Sequence, residues 1–273
     1  MAYKDVLAVL WSSIAEASVI AAASQLAQEN KGSATALLVG IEPAAIYVPD
    51  GYMAGEVWEE ISARVREGFT DEEGKLKARL KREPVAWSVR SLAARLALIG
   101  ASVTAAARTR DVILFGRPTD DAHAHVLESV LFGSGRPLIV VPPNWEGGRI
   151  GRNIVIGWNA KREAARALAD ARPLIERADK VSLVAVGAKP DDAGRGEALA
   201  AAHLARAGIE VESCNVDARG RAESTVLIDE CRARGADLLV IGGYGHARLA
   251  EFVFGGVSRD LLRAAPLPLL IAH

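Results

Sequence analysis

The chain repeats itself weakly, and the repeat restricts the folds open to it. An apolar run reaches a glycine at Asp111–Gly116 and again at Asp237–Gly242, and further apolar runs follow at Pro137–Val141 and Pro268–Ile271. Short, continuously apolar runs are typical of strands buried on both faces, as in a parallel sheet. Alanine-rich helical stretches occur in both halves, so the repeat predicts parallel βαβ units with right-handed crossovers.

Other segments recur as well. They are the predicted first strands (Asp5–Leu10 and Asn153–Trp158), the helices after them (Ile14–Gln28 and Arg162–Ile175), the second strands (Ala34–Val39 and Val181–Val186) and two glycine segments (Phe132–Ser134 and Phe254–Gly256). We therefore expect an α/β protein of two tandem, doubly wound parallel-sheet domains, Rossmann-like or flavodoxin-like and related by approximate two-fold symmetry. The predicted domains are residues 1–142 and 149–273, because proline and glycine cluster at Pro142–Gly148.

The first copy contains an extra helical segment at about residues 50–82. From Gly55 to Lys81, apolar residues recur at helical spacing among dense charge. This pattern predicts one long amphipathic helix, or two helices broken near Gly74, with the polar face in solvent. Trp58 and Phe69 are predicted to be packing anchors.

Composition excludes several classes of protein. Half of the 273 residues are apolar and a quarter are charged, which is normal for a chain that forms two cores. The net charge of −1 gives no reason to expect nucleic acid as a partner, and no apolar run is long enough to span a membrane. Cys214 and Cys231 fit no redox or metal spacing, so we expect a cytoplasmic protein with two unreactive thiols.

The second copy ends in a glycine-rich pattern. Gly242 and Gly245 follow an apolar strand, and Gly255 and Gly256 stand where a helix is predicted to begin. Glycine lets the backbone approach a ligand, and a helix N-terminus offers free N–H groups to an anion. The spacing Gly-x2-Gly-x9-Gly therefore indicates a phosphate cradle, although glycines that only form turns would give the same spacing.

With two such halves and this ending, the chain resembles a tandem universal stress protein. The resemblance implies a stress-response regulatory protein that binds ATP or another adenine nucleotide in its second half. The residues it implies for that site are Gly157, Trp158, Asn159, Val186, Gly242, Gly245, Gly255, Gly256, Val257 and Ser258. In this family the residue at position 159 contacts the nucleoside, the residue at 186 flanks the base, and the glycines hold the phosphates.

The chain departs from the family pattern at two of these positions. Gly256 stands where Ser or Thr is usual, and Asn159 stands where Asp is usual. Losing one hydroxyl costs about 1 kcal/mol, or up to about 3 kcal/mol toward a charged phosphate, so binding is expected to be weak.

The first copy departs further. Trp11 takes the position of Asn159, and Arg117 and Pro118 follow Gly116 without a second glycine. Of the glycine segments, only Gly133–Ser134 is interpreted as retained in the first copy. We therefore interpret the first half as a degenerate copy with a structural or pairing role. The last strands of the two copies, Leu138–Val141 and Leu267–Ala272, would be hazardous edges if left uncovered, and the resemblance implies that they pair so that one chain mimics a dimer. A homodimer of whole chains is also expected.

No catalytic constellation is visible. Asp120, His123 and His125 are more typical of a solvated loop or helix start than of a metal site, because His123 and His125 do not share a helix face. His246 and Arg248 follow the glycines and could approach a phosphate, although both residue types are common in loops. Three functions stay open: a nucleotide-binding regulator, an interaction module that has lost the nucleotide, and a slow ATP hydrolase. We expect no dedicated enzyme, no required metal and an unidentified protein partner.

Overall fold

The computed structural model describes residues 2–11, 16–42, 55–187, 190–244 and 256–273. For residues 55–58 and 190–195 it describes the backbone alone. Within these ranges, no helix is long and apolar enough to cross a membrane.

Strands and helices alternate along both halves, as the repeat predicts. The first half consists of β1 (Asp5–Leu10), α1 (Ala17–Glu29), β2 (Ser33–Ile41), α2 (Gly55–Leu80), β3 (Trp87–Ala94), α3 (Leu96–Ala107), β4 (Val112–Gly116), α4 (Asp121–Gly133) and β5 (Leu138–Val141). The second half consists of β6 (Asn153–Gly157), α5 (Arg162–Asp170), α6 (Arg172–Ile175), β7 (Lys180–Val186), α7 (Pro190–Ala205), β8 (Glu212–Val216), α8 (Glu223–Ala233), β9 (Leu238–Gly242), α9 (Gly256–Ala264) and β10 (Leu269–Ala272).

All ten strands form one sheet in the order β3-β2-β1-β4-β5-β10-β9-β6-β7-β8. Neighbours are parallel within each half, and β5 and β10 pair antiparallel at the centre. Ile139 lies opposite Leu270 in that pair, and each is the second residue of its strand. The strand order of the second half is thus the reverse of that of the first half. The predicted pairing of the two last strands is confirmed. A homodimer of whole chains stays a prediction.

The central strands are buried on both faces. In β1, Val6, Ala8 and Leu10 belong to one hydrophobic cluster, whereas Leu7 and Val9 belong to a second cluster on the other face. Helices cover each face, so apolar side chains are required at consecutive positions rather than at alternate ones. This explains why the strands appear in the sequence as continuous apolar runs.

Helix α2 is continuous through Gly74 as far as Leu80. It connects β2 to β3, as α7 connects β7 to β8, and it is longer, with 26 residues against 16. Phe69 packs over Gly40, where an added Cβ would lie 2.7 Å from the Phe69 ring. The side chain of Trp58 lies outside the described residues.

The predicted match between Gly133–Ser134 and Gly255–Gly256 is wrong. Gly133 is the last residue of α4, five residues before β5, whereas Gly256 is the first residue of α9, thirteen before β10. Gly133 serves helix packing instead, because an added Cβ would lie 2.8 Å from Cγ2 of Thr104 on α3. Of the glycine pattern, the first half therefore keeps only Gly116, which ends β4 as Gly242 ends β9, and it is more divergent than the sequence indicates.

The matched aspartates Asp111 and Asp237 fasten the start of one strand to the start of its neighbour. The Asp237 carboxylate accepts hydrogen bonds from the backbone N–H groups of Gly151 (2.8 Å), Arg152 (2.9 Å) and Asn153 (3.2 Å). Asp111 accepts from only two such groups, on residues 4 and 5. In each half, the aspartate thus joins the start of the fourth strand to the start of the first: β9 to β6 in the second half, and β4 to β1 in the first half.

Candidate functional site

The sequence predicts a site at the carboxyl ends of β6, β7 and β9, and these three strands are neighbours in the sheet. Gly157, Val186 and Gly242 are their last residues. The chain leaves β6 toward β7 on one side, while β9 lies on its other side, so this edge is a topological switch point. Ligands of open α/β sheets bind in the crevice at such points.

Gly242 permits a close approach between β9 and the start of α5. A Cβ at this position would lie 2.4 Å from the Ala164 nitrogen, 2.4 Å from the Glu163 carbonyl carbon and 2.8 Å from its oxygen. These are backbone atoms of the first turn of α5, which cannot rotate away as a side chain would. Close packing of β9 against α5 thus explains why residue 242 is a glycine, independently of any ligand.

Trp158 and Asn159 continue the chain from β6. The backbone N–H of Trp158 donates to the Val184 carbonyl oxygen at 2.8 Å. The Trp158 ring packs against the core below α7, and its indole nitrogen would lie 3.6 Å from a Cβ added at Gly196. Its buried indole N–H has no hydrogen-bond partner among the residues that the structure describes. Asn159 is exposed, and its side-chain oxygen accepts from the Lys161 N–H at 3.1 Å in a tight turn.

The start of α9 faces the same edge. Gly256 is exposed, and a Cβ added there would meet nothing within 4 Å. Val257 is half-buried, and Ser258 is buried with its hydroxyl oxygen 3.3 Å from the Tyr244 N–H, which donates to it. Gly245, Gly255, His246 and Arg248 lie outside the described residues, so their predicted part in the site stays a prediction.

Tyr244 joins this edge of the second half to helix α4 of the first. Its ring centroid lies 5.1 Å from that of Phe132, and its hydroxyl donates to the Glu128 carboxylate. Phe132 in turn meets the His273 ring edge-on at 4.8 Å, and His273 lies 3.0 Å from the Gly243 carbonyl oxygen. Sequence analysis missed this contact, and the only signal for it is a large aromatic residue within the glycine pattern.

Burial raises the pKa of Glu128 above its ordinary value, while the charges of His125 and Arg259 and the hydroxyl of Tyr244 oppose the shift. Burial also raises the pKa of the Tyr244 hydroxyl, which stays protonated and acts as the donor.

Glu128→Gln is therefore expected to raise the free energy of unfolding at pH 7, since it removes a half-buried charge and keeps an acceptor for Tyr244. The folded state holds the Glu128 proton more tightly than the unfolded chain, so this carboxyl contributes stability below its unfolded pKa of about 4.3 and loses it as the pH rises through the folded pKa. The gain of the variant should be largest at neutral pH and vanish below about pH 4. Urea unfolding at pH 7 and at pH 4 measures it, and an equal gain at both values would exclude the charge as its cause.

In the first half, the corresponding strand ends are occupied by side chains. The Trp11 ring contacts the His123 ring with 4.3 Å between centroids, and the backbone N–H of Trp11 donates to the Glu16 carboxylate at 2.5 Å. The second oxygen of Glu16 lies 3.0 Å from a Cβ added at Gly116. A carboxylate repels an anionic ligand, so this edge is unsuited to a nucleotide.

His123 lies at the start of α4, as predicted, where Asp120 caps the helix by accepting from its N–H at 2.9 Å. Among the described residues, no group of three or more His, Cys, Asp and Glu side chains is arranged to hold a metal ion. Both cysteines are free. Cys231 is buried, and this burial raises the pKa of its thiol to about 12. Burial also raises the thiol pKa of Cys214, which is half-buried.

A family model described as the universal stress protein family matches residues 152–273. No curated protein matches the chain in sequence. A universal stress protein from Archaeoglobus fulgidus DSM 4304 is similar over 100% of this chain and 99% of its own, with 14% identity and a TM-score of 0.71. A structure from Pseudomonas aeruginosa UCBPP-PA14, assigned to the same family, covers 99% of this chain and 93% of its own, with 12% identity and a TM-score of 0.60.

A shorter member from Arabidopsis thaliana, solved with AMP bound, covers 44% of this chain and 90% of its own, with 18% identity and a TM-score of 0.32. At such identities, the two full-length likenesses show the fold, while the sequence match shows the family for residues 152–273 alone. Residues 152–273 thus belong to the universal stress protein family, and the whole chain has the fold of the two full-length structures.

Proposed function

We propose that the second half binds an adenine nucleotide and that the protein acts as a regulator rather than as an enzyme. The observation that carries the proposal is the exposed start of α9 at Gly256, which faces the switch point where β6 and β9 end. Free N–H groups at a helix start favour phosphate, and the crevice of an open α/β sheet accommodates a nucleoside.

In this proposal each segment of the edge has one role. Asn159, which is exposed after β6, contacts the ribose or base, and Val186 at the end of β7 flanks the base. Gly242, Gly245 and Gly255–Ser258 surround the phosphates. The first half does not take part in contacts with the ligand, because Trp11 and Glu16 occupy its corresponding edge.

The second candidate is an interaction module that has lost the nucleotide. It is favoured by the Ser258 hydroxyl, which already accepts from the Tyr244 N–H, and by Trp158, which packs below α7 instead of lying exposed. A slow ATP hydrolase is the third candidate, and it requires turnover beyond one product per protein that depends on Asn159.

Gly256→Ser is expected to tighten AMP and ATP binding by about tenfold, because it restores one hydroxyl at the helix start. The backbone at Gly256 does not have a positive φ, and an added Cβ has space, so the substitution should not disturb the fold. Calorimetric titration of the wild type, Gly256→Ser and the matched control Gly256→Ala, which adds a Cβ without a hydroxyl, measures the effect.

The same titration decides between the first two candidates. Gly245→Val is expected to abolish binding by placing a branched side chain where a phosphate approaches. If the wild type shows no heat with millimolar ATP or AMP and Gly256→Ser gains none, the nucleotide proposal fails and the interaction module is the better description.

A further inference from the structure

We propose that helix α4 of the first half positions the glycine turn of the second half, residues 242–244, through contacts of Phe132 and Glu128 with Tyr244. Phe132 and Glu128 are then positioning residues for the phosphate end of the site, although they belong to the half that binds no ligand. The proposal rests on the proposed function for its effect on nucleotide affinity, whereas its structural part is measured without a nucleotide.

The turn needs support because Tyr244 has a left-handed backbone, with φ of +58°. A bulky residue at positive φ is strained, and it persists only where its surroundings fix it. Here the surroundings belong to the other half: the Phe132 ring lies against the Tyr244 ring at an angle of 53°, and Glu128 accepts from the hydroxyl. Both contacts come from one face of α4, since the two residues are four positions apart.

The support reaches the predicted phosphate cradle through the backbone of Tyr244. Its N–H donates to the hydroxyl oxygen of Ser258 in the first turn of α9, so the glycine turn and the helix start are tied together. The preceding residue, Gly243, is held by His273, whose ring Phe132 also contacts. Displacing Phe132 therefore removes support from two consecutive residues of the turn.

In the part of the chain that the structure describes, the first half has no equivalent of the Tyr244 contact with the opposite half. Arg117 and Pro118 follow β4 where Gly243 and Tyr244 follow β9. The Arg117 guanidinium donates to the carbonyl oxygen of Ala265, directly after α9, where a cation is favourable. First-half side chains thus reach both ends of the α9 region: Phe132 and Glu128 through Tyr244 at its start, and Arg117 at its end.

The structural test is hydrogen exchange at the Tyr244 amide in the full chain under native conditions. Phe132→Ala should speed exchange by about tenfold, the upper limit for losing one aromatic pair. Phe132→Tyr keeps the ring and should restore wild-type exchange. Leu127→Ala is the matched control, since it removes buried volume from the same helix and leaves the aromatic pair intact. If Phe132→Ala leaves exchange unchanged, or speeds it only as much as Leu127→Ala, the proposal is overturned.

The functional test is calorimetric titration of the same variants with AMP and ATP. Phe132→Ala should weaken binding by up to about tenfold, and Phe132→Tyr should bind as the wild type does. Equal affinity of the wild type and Phe132→Ala would overturn the positioning of the site. If the wild type itself binds neither nucleotide, the proposed function fails, and hydrogen exchange still decides whether α4 positions the turn.

Discussion

Gly242→Ala is expected to destabilise the protein by about 3 kcal/mol, because its new methyl group would overlap backbone atoms of the first turn of α5. The two nearest atoms, the Ala164 nitrogen and the Glu163 carbonyl carbon, would each lie 2.4 Å from the added carbon. Relief requires β9 and α5 to move apart, which disturbs the packing between them. The midpoint of urea unfolding, or loss of soluble protein, measures the effect.

Gly256→Ala serves as the control for that variant. It adds the same methyl group at the same predicted site, but in open space, so the unfolding free energy should change by less than about 0.5 kcal/mol. Equal stability of Gly242→Ala and Gly256→Ala would show that α5 adapts to the extra atom, and Gly242 would then need a functional explanation.

Asp237→Ala is expected to lower the free energy of unfolding by about 3 kcal/mol, because it removes a charged acceptor shared by three backbone N–H groups. Those groups lead into β6 and include its first residue, and the candidate site is built on this strand. Denaturant unfolding followed by circular dichroism is a sufficient measurement.

The repeat provides an internal comparison. Asp111→Ala removes an acceptor from two N–H groups instead of three, so its cost should be smaller, about 2 kcal/mol. A larger loss from Asp111→Ala than from Asp237→Ala would contradict the explanation by hydrogen-bond number.

Much of the fold could be predicted because burial on both faces leaves a strong pattern. Runs such as Asp111–Gly116 and Asp237–Gly242 have no polar interruption after their first residue, and only strands covered by helices require that. The pairing of β5 with β10 was predicted from the family resemblance, and it covers two apolar strands that would otherwise be hazardous exposed edges.

What could not be predicted depends on packing between elements distant in sequence. Gly133 looked like a remnant of a binding motif, whereas it lies against Thr104 of a neighbouring helix. Its distance from β5 was the signal that contradicted the motif. The only local signal for the role of Tyr244 is that a large aromatic residue stands within the glycine pattern, because its partners Glu128 and Phe132 are more than a hundred residues away.

The central pairing of β5 with β10 has a consequence for how the two halves can evolve. In a dimer of identical chains, a residue near the two-fold axis faces its own copy, and a charge there meets a like charge. Glu128 and Arg259 each lie ten residues before their last strand, and in this single chain they differ in sign and attract each other. Covalent linkage also keeps the halves at a high effective concentration, so their association survives dilution. One half is thereby free to specialise as a support, and under the proposed function each molecule would carry a single nucleotide site rather than two.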